Sequence, residues 1–167
     1  MKFDFDFSNE VSLVTGAGRG IGLAISQKLS DLGSTVALMA RSSKELQIAA
    51  NEIKANGGQA YVFSCDVSDL DSVKQNVKEI ERSLGPIKYL VNNAGVTGAA
   101  GRDWEVDPLK WWRTMEINVK GAFNCSHAVL KHMVKRRQGR IVNVSSSSAE
   151  LVIPFMSSYG VSKAALT

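Results

Sequence analysis

Short apolar runs alternate with segments of helical period along almost the whole chain, and this alternation constrains the fold more than any other feature. Val11 to Thr15 is an apolar run ending in a glycine cluster, after which Ile21, Ala24, Ile25, Leu29 and Leu32 recur at helical spacing up to Gly33. Thr35 to Met39 reads as a buried strand, with Leu46, Ala49, Ala50 and Ile53 as a helix stripe closed by Gly57 and Gly58. Ala60 to Cys65 reads as a third strand, and Val73, Val77, Ile80 and Leu84 as a third helix. Tyr89 to Val91 follows as a fourth strand after the breakers Gly85 and Pro86. Pro108 opens a long helical stretch whose Trp111 and Trp112 read as packing residues; Ile141 to Val144 is a fifth strand, and Tyr159 begins a further helix. Strands this apolar need cover on both faces, and right-handed βα crossovers supply it. The fold class is therefore α/β, a doubly wound parallel sheet in one domain over 1–167, with ligands at the carboxyl ends of the strands.

Composition excludes several function classes. A chain of 167 residues, 44% hydrophobic and 22% charged, can bury a core without disulfides or a structural metal. Cys65 and Cys125 lie far apart, and His127 and His132 have no partners at zinc-ligand spacing, so neither a disulfide framework nor a metal site is expected. A net charge of +4 suits a small anionic ligand as well as a polymeric nucleic acid, and alone decides nothing. The densest basic run, Lys131 to Arg140, falls where a helix should end and its dipole favours cations, so no nucleic-acid partner is expected. No apolar run reaches the roughly 20 residues of a membrane span, and the start, MKFDFDFSNE, carries acids where a signal peptide would be apolar. The expectation is a soluble, cytoplasmic protein with no membrane partner.

Gly16, Gly18, Gly20 and Gly22 stand in TGAGRGIG between the first strand and the first helix, where missing side chains let a pyrophosphate approach a helix N-terminus. The spacing does not fit GxGxxG, because Ile21, Leu23 and Ile25 occupy the third glycine's place in the three registers. No Lys-Ser or Lys-Thr follows for a P-loop. A tight turn needing glycine only for its dihedrals is the alternative.

TGAGRGIG resembles the TGxxxGxG motif of the short-chain dehydrogenase/reductase family, and further motifs follow in that family's order. Asn92, Asn93, Ala94 and Gly95 resemble its NNAG; Asp66, followed by Val67, resembles its adenine-contacting acid; Asn118 stands in its helix asparagine position; Ser146, Tyr159 and Lys163 resemble its active site. The resemblance implies a Rossmann-like strand order 3-2-1-4-5. It also implies a cofactor site over Gly16, Arg19, Gly20, Ile21, Gly22, Arg41, Asp66, Val67, Asn93, Ala94, Gly95, Tyr159 and Lys163, and catalytic roles for Asn118, Ser146, Tyr159 and Lys163. Tyr159 would exchange a proton with the oxygen of a carbonyl or secondary alcohol while a nicotinamide carries hydride. Lys163, four residues on and so on the same helix face, would favour the phenolate that acid–base work near neutrality requires. Ser146 would hold the substrate oxygen, and its separation from Tyr159 selects it over Ser145, Ser147 and Ser148. Asn118 would organise a water leading to the lysine.

Relatives that use NAD carry an acid at the end of the second strand, whereas this chain reads Met39, Ala40, Arg41, Ser42. Arg41 offers a guanidinium suited to a 2′-phosphate, and Arg19 a second, so NADP(H) is expected in preference to NAD(H); a solvated loop arginine is the alternative. The family pattern continues through two further strands and a substrate-covering segment, so the chain resembles a member truncated at its C-terminus, with the fifth strand as an open edge. The full-length form is expected to be a homodimer or homotetramer acting on a small carbonyl or alcohol. The alternative is a non-catalytic nucleotide-binding or interaction module.

Overall fold

The computed structural model describes residues 5–167; part of the acidic start, Met1 to Asp4, lies outside the described residues. Five strands, β1 (Val11–Thr15), β2 (Thr35–Ala40), β3 (Gln59–Ser64), β4 (Ile87–Asn92) and β5 (Arg140–Asn143), form one parallel sheet in the order β3-β2-β1-β4-β5. The helices are α1 (Gly20–Asp31), α2 (Ser43–Ala55), α3 (Leu70–Ser83), α4 (Pro108–Met115), α5 (Gly121–Arg136) and α6 (Ser157–Ala164). This is the doubly wound, Rossmann-like arrangement. The strands run one residue beyond the apolar runs at several ends, and β4 begins at Ile87, because ladder partners rather than hydropathy set the last pairs.

Alternation along the strands builds two cores. Leu13, Ala37, Met39 and Leu90 face one side and pack with Val73, Val77 and Ile80 of α3 and Cys125 and Val129 of α5. Val14, Val36, Leu38 and Val91 face the other and pack with Leu46, Ala49, Ala50 and Ile53 of α2. All five residues of β1 are buried, as a central parallel strand requires. β5 is the opposite case, an edge strand with Val142 exposed.

Four sequence expectations need correction. The α1 stripe does not include Ile21 and Ala24, which are exposed; the buried line is Gly22, Ser26 and Ser30. A small-residue face brings the helix close to the sheet, and Ser26 hides its hydroxyl by donating to the Gly22 carbonyl at 2.7 Å. The stretch after Pro108 is not one α-helix, because Glu116–Lys120 is a π turn that carries buried Asn118 between α4 and α5. Trp111 is half-buried, its ring N–H donating to Ser157 Oγ at 3.0 Å, but Trp112 is exposed and meets the edge of the Trp111 ring. α6 also starts two residues before Tyr159.

The basic run does end a helix: Lys135 and Arg136 lie in the last turn of α5 and Arg137 is left-handed at its C-cap. Arg136 donates to both oxygens of Glu81 at 3.0 and 3.1 Å and to the Ile87 carbonyl at 2.9 Å, while His132 Nδ1 lies 3.2 Å from Glu81. Ile87 N donates to the same carboxylate at 3.3 Å. The end of α3, the start of β4 and the end of α5 are thereby tied to one side chain. No helix among the described residues is long and apolar enough to cross a membrane. Glu81→Ala strands the Arg136 charge and the Ile87 N–H in a half-buried setting, and should cost about 2 kcal/mol in urea unfolding.

Candidate active site

The sheet order reverses between β1 and β4, and a cleft of about 760 Å³ opens over their carboxyl ends. Its floor is the glycine loop. Gly16 has φ +65°, and a Cβ there would stand 2.9 Å from Ala94 Cα; a Cβ on Gly22 would stand 2.3 Å from the Gly16 carbonyl oxygen. Backbone thus lies against backbone at both points, which only glycine permits. Thr15, at the end of β1, fixes the neighbouring loop: its hydroxyl accepts from Asn93 N and Ala94 N, both at 3.0 Å, and donates to the Val91 carbonyl at 3.3 Å. Asn93 returns its amide to the Thr15 carbonyl at 2.9 Å and to that of Gly16 at 3.3 Å.

α1 begins over this floor without an acceptor. Its N-cap, Arg19, makes no side-chain cap and its first turn holds no acid, whereas Ser42, Asp69 and Asp107 cap α2, α3 and α4. The first-turn N–H groups therefore keep their donors for an anion. The cradle of Gly16, Gly18, Gly20, Ile21, Asn93, Ala94 and Gly95 along the cleft fits a dinucleotide pyrophosphate.

Arg19, Ala40, Arg41, Ser42 and Glu45 line one part of the cleft, and Cys65, Asp66 and Val67 line it as well. Arg41 is exposed and makes no ion pair among the described residues; Arg19 lies 3.5 Å from Glu45. Asp66 Oδ1 accepts from Ser68 N and Ser68 Oγ, and Oδ2 accepts from Arg113 at 2.7 Å. Burial works to raise the Asp66 pKa, but the bonds from Ser68 and Arg113 outweigh it and hold the carboxyl below its usual range. One lone pair of Oδ2 stays available to a donor. The two thiols are buried, and burial with the nearby Cys65 pushes Cys125 up to about 12, so it is no nucleophile. No three His, Cys, Asp or Glu side chains gather as metal ligands among the described residues.

Tyr159 and Lys163 share one face of α6 and line the cleft with Val144 and Ser145. Lys163 is buried, its Nζ donates to the Val144 carbonyl at 2.7 Å and lies 5.7 Å from the Tyr159 ring centre, and burial lowers its pKa. It makes no ion pair with a carboxylate among the described residues. Gly22, Asn118 and Ser146 do not line the cleft. Asn118 is fully buried. It accepts from Val96 N at 2.8 Å, donates to the Val96 carbonyl at 2.9 Å and donates to Ser162 Oγ at 2.8 Å; Ser162 in turn donates to the Tyr159 carbonyl at 2.8 Å. Both its amide hydrogens are committed, so a water could meet only the second lone pair of Oδ1 or the backbone. Ser146 caps a 3₁₀ turn (Ser147–Ala149) and pairs with Ser148 Oγ at 2.7 Å, while Ser145 is bonded to the Lys163 carbonyl and Thr167.

Sequence reasoning missed Thr15, Glu45, Val96, Ile117 and Ser162. Thr15 stood inside the quoted motif; the others act through contacts that no local spacing signals.

A fold and cleft of this kind define a nucleotide-binding α/β protein. The chain belongs to the short-chain dehydrogenase family, whose sequence model matches residues 10–167. It is 38% identical over 162 residues to a gluconate 5-dehydrogenase of Gluconobacter oxydans, covering 97% of this chain and 63% of that protein. It is similar to an NAD+-bound xylitol dehydrogenase (TM-score 0.92, 36% identity, 95% of this chain and 61% of that one). It is also similar to a metagenomic short-chain oxidoreductase solved with NADP (TM-score 0.91, 34% identity, 96% of this chain and 72% of that one). The chain spans 54% and 63% of the length of two such curated relatives.

The lowered Asp66 value carries a pH consequence. A carboxyl depressed in the folded state adds stability that is complete above the ordinary value of 3.8 and is lost as pH falls through its folded value. Asp66→Asn should therefore flatten the loss of stability below pH 3.8, read from denaturation midpoints against pH.

Proposed function

We propose that the protein is an NADP(H)-dependent oxidoreductase acting between a carbonyl and a secondary alcohol. The observation that carries this reading is the buried Lys163 ammonium, tied to the Val144 carbonyl and sharing a helix face with Tyr159 at the rim of a glycine-floored cleft. When bound, the nicotinamide would supply the hydride acceptor or donor. The glycine loop and the open α1 N-terminus would hold the pyrophosphate, Asp66 and Val67 the adenine, Arg41 the 2′-phosphate, and Asn93, Ala94, Gly95, Tyr159 and Lys163 the nicotinamide half.

Tyr159 moves the proton at its phenolic oxygen, taking it from an alcohol or giving it to a carbonyl oxygen. Lys163 places its positive charge beside that phenol in a site partly closed to water, where charge acts more strongly than in solvent. Ser146, which lies just outside the cleft lining with its hydroxyl on Ser148 Oγ, would turn that hydroxyl to the substrate oxygen. Asn118 fixes the Val96 backbone and, through Ser162, the Tyr159 carbonyl, so the reacting helix is registered against the end of the NNAG segment. The preference for NADP(H) rests on the missing acid after β2 and on the exposed Arg41 guanidinium at the cleft. Exposed Leu109, Trp112, Phe123, Leu130 and Val134 on α4 and α5 support the homo-oligomeric full-length form.

Two measurements test this. Tyr159→Phe should cut carbonyl-dependent NADPH oxidation by at least about 10²-fold while NADPH still binds, since general acid–base help is worth that much. Unchanged turnover would remove the tyrosine from the chemistry. Ala40→Asp combined with Arg41→Ser should move binding preference towards NADH, and unaltered selectivity would sink the cofactor assignment.

A further inference from the structure

Glu45 stands apart from the site residues assigned so far. Ser42 and Glu45 open α2 as the first half of a capping box, with Glu45 N donating to Ser42 Oγ at 3.3 Å. The Glu45 carboxylate is turned towards the glycine loop, where Oε1 lies 3.5 Å from Arg19 Nη1. Its stem leans on the same loop: a Cβ on Gly18 would stand 3.0 Å from Glu45 Cβ. Glu45 also lines the cleft beside Ala40, Arg41 and Ser42.

We propose that Glu45 is a specificity-determining residue that weakens this chain's grip on a 2′-phosphate by occupying Arg19, so that the cleft tolerates dinucleotides with and without that group. The inference rests on the NADP(H) reading above. The two guanidiniums at this part of the cleft are not equivalent. Arg41 is unpaired among the described residues and would meet a phosphate at once; Arg19 must first leave a carboxylate, and that carboxylate then faces the phosphate as a like charge. A 2′-hydroxyl carries no charge and meets no such opposition. Arg19 is largely exposed and Glu45 half-buried, so the effect is moderate and salt-dependent.

Titration calorimetry of the full chain with nicotinamide-free probes, adenosine 2′,5′-bisphosphate and adenosine 5′-monophosphate, tests this apart from turnover. Glu45→Gln should tighten the bisphosphate about 3- to 10-fold, the effect of freeing one exposed guanidinium to pair with the phosphate and of removing one repulsion, while the monophosphate changes less than about 2-fold. The tightening should shrink in 0.5 M salt, about a 4 Å screening length, and fall to the smaller part due to the removed repulsion when Arg19→Gln is added. Equal change for both probes, a weaker monophosphate or a tightening undiminished by the loss of Arg19 would each overturn the proposal. A shared thermal midpoint for wild type and Glu45→Gln without probe would show that folding is not being read. Arg41→Ala separates this inference from its foundation. Loss of bisphosphate preference in that variant upholds the 2′-phosphate reading even where Glu45→Gln fails, and no loss removes both.

Discussion

Backbone lies directly on backbone where the loop after β1 meets the end of β4, and the rest of the site depends on that contact. Gly16 and Gly22 remove the side chains that would hold the surfaces apart, and Thr15 and Asn93 exchange hydrogen bonds across the gap. From there the geometry passes outward in both directions. On one side α1 starts with its donors open above the loop. On the other, the segment leaving β4 reaches Val96, which Asn118 grips at both N–H and carbonyl before handing a bond to Ser162 and so to the turn that holds Tyr159.

The sheet was legible in the sequence because its strands are buried on two faces, which compels continuous apolar runs, and because glycines close the intervening helices. Burial in α1 was not legible in the same way. Hydrophobic spacing placed Ile21 inward, but the helix is drawn so near the sheet by Gly22, Ser26 and Ser30 that the large side chains are displaced to its flanks. The π turn at Glu116–Lys120 has no local signature either; it follows from the need to seat Asn118 against Val96, a contact across 22 positions. Among the candidate site residues, most of those in the motifs line the cleft, while Gly22, Asn118 and Ser146 lie outside its lining. Glu45 was illegible because its partner Arg19 is supplied by another element.

The two ends of the cleft work in different dielectric settings. Arg19 and Arg41 are solvent-exposed cations whose reach is cut short by salt. Lys163 is buried, so its charge is poorly screened and its amine is held by a single carbonyl of the described residues. Recognition at one end can therefore vary with ionic strength while the charge beside Tyr159 stays nearly constant.

The glycine floor has an evolutionary corollary. The same absent atoms that admit a ligand also let α1 pack on the sheet, so a side chain at Gly16 or Gly22 would damage foldability and recognition together. Diversification in such a chain is channelled to the rim, where exposed positions such as Arg41, Ser43 and Lys44 can be exchanged without disturbing the packing beneath. A library confined to those positions would sample new ligands from a scaffold that remains intact.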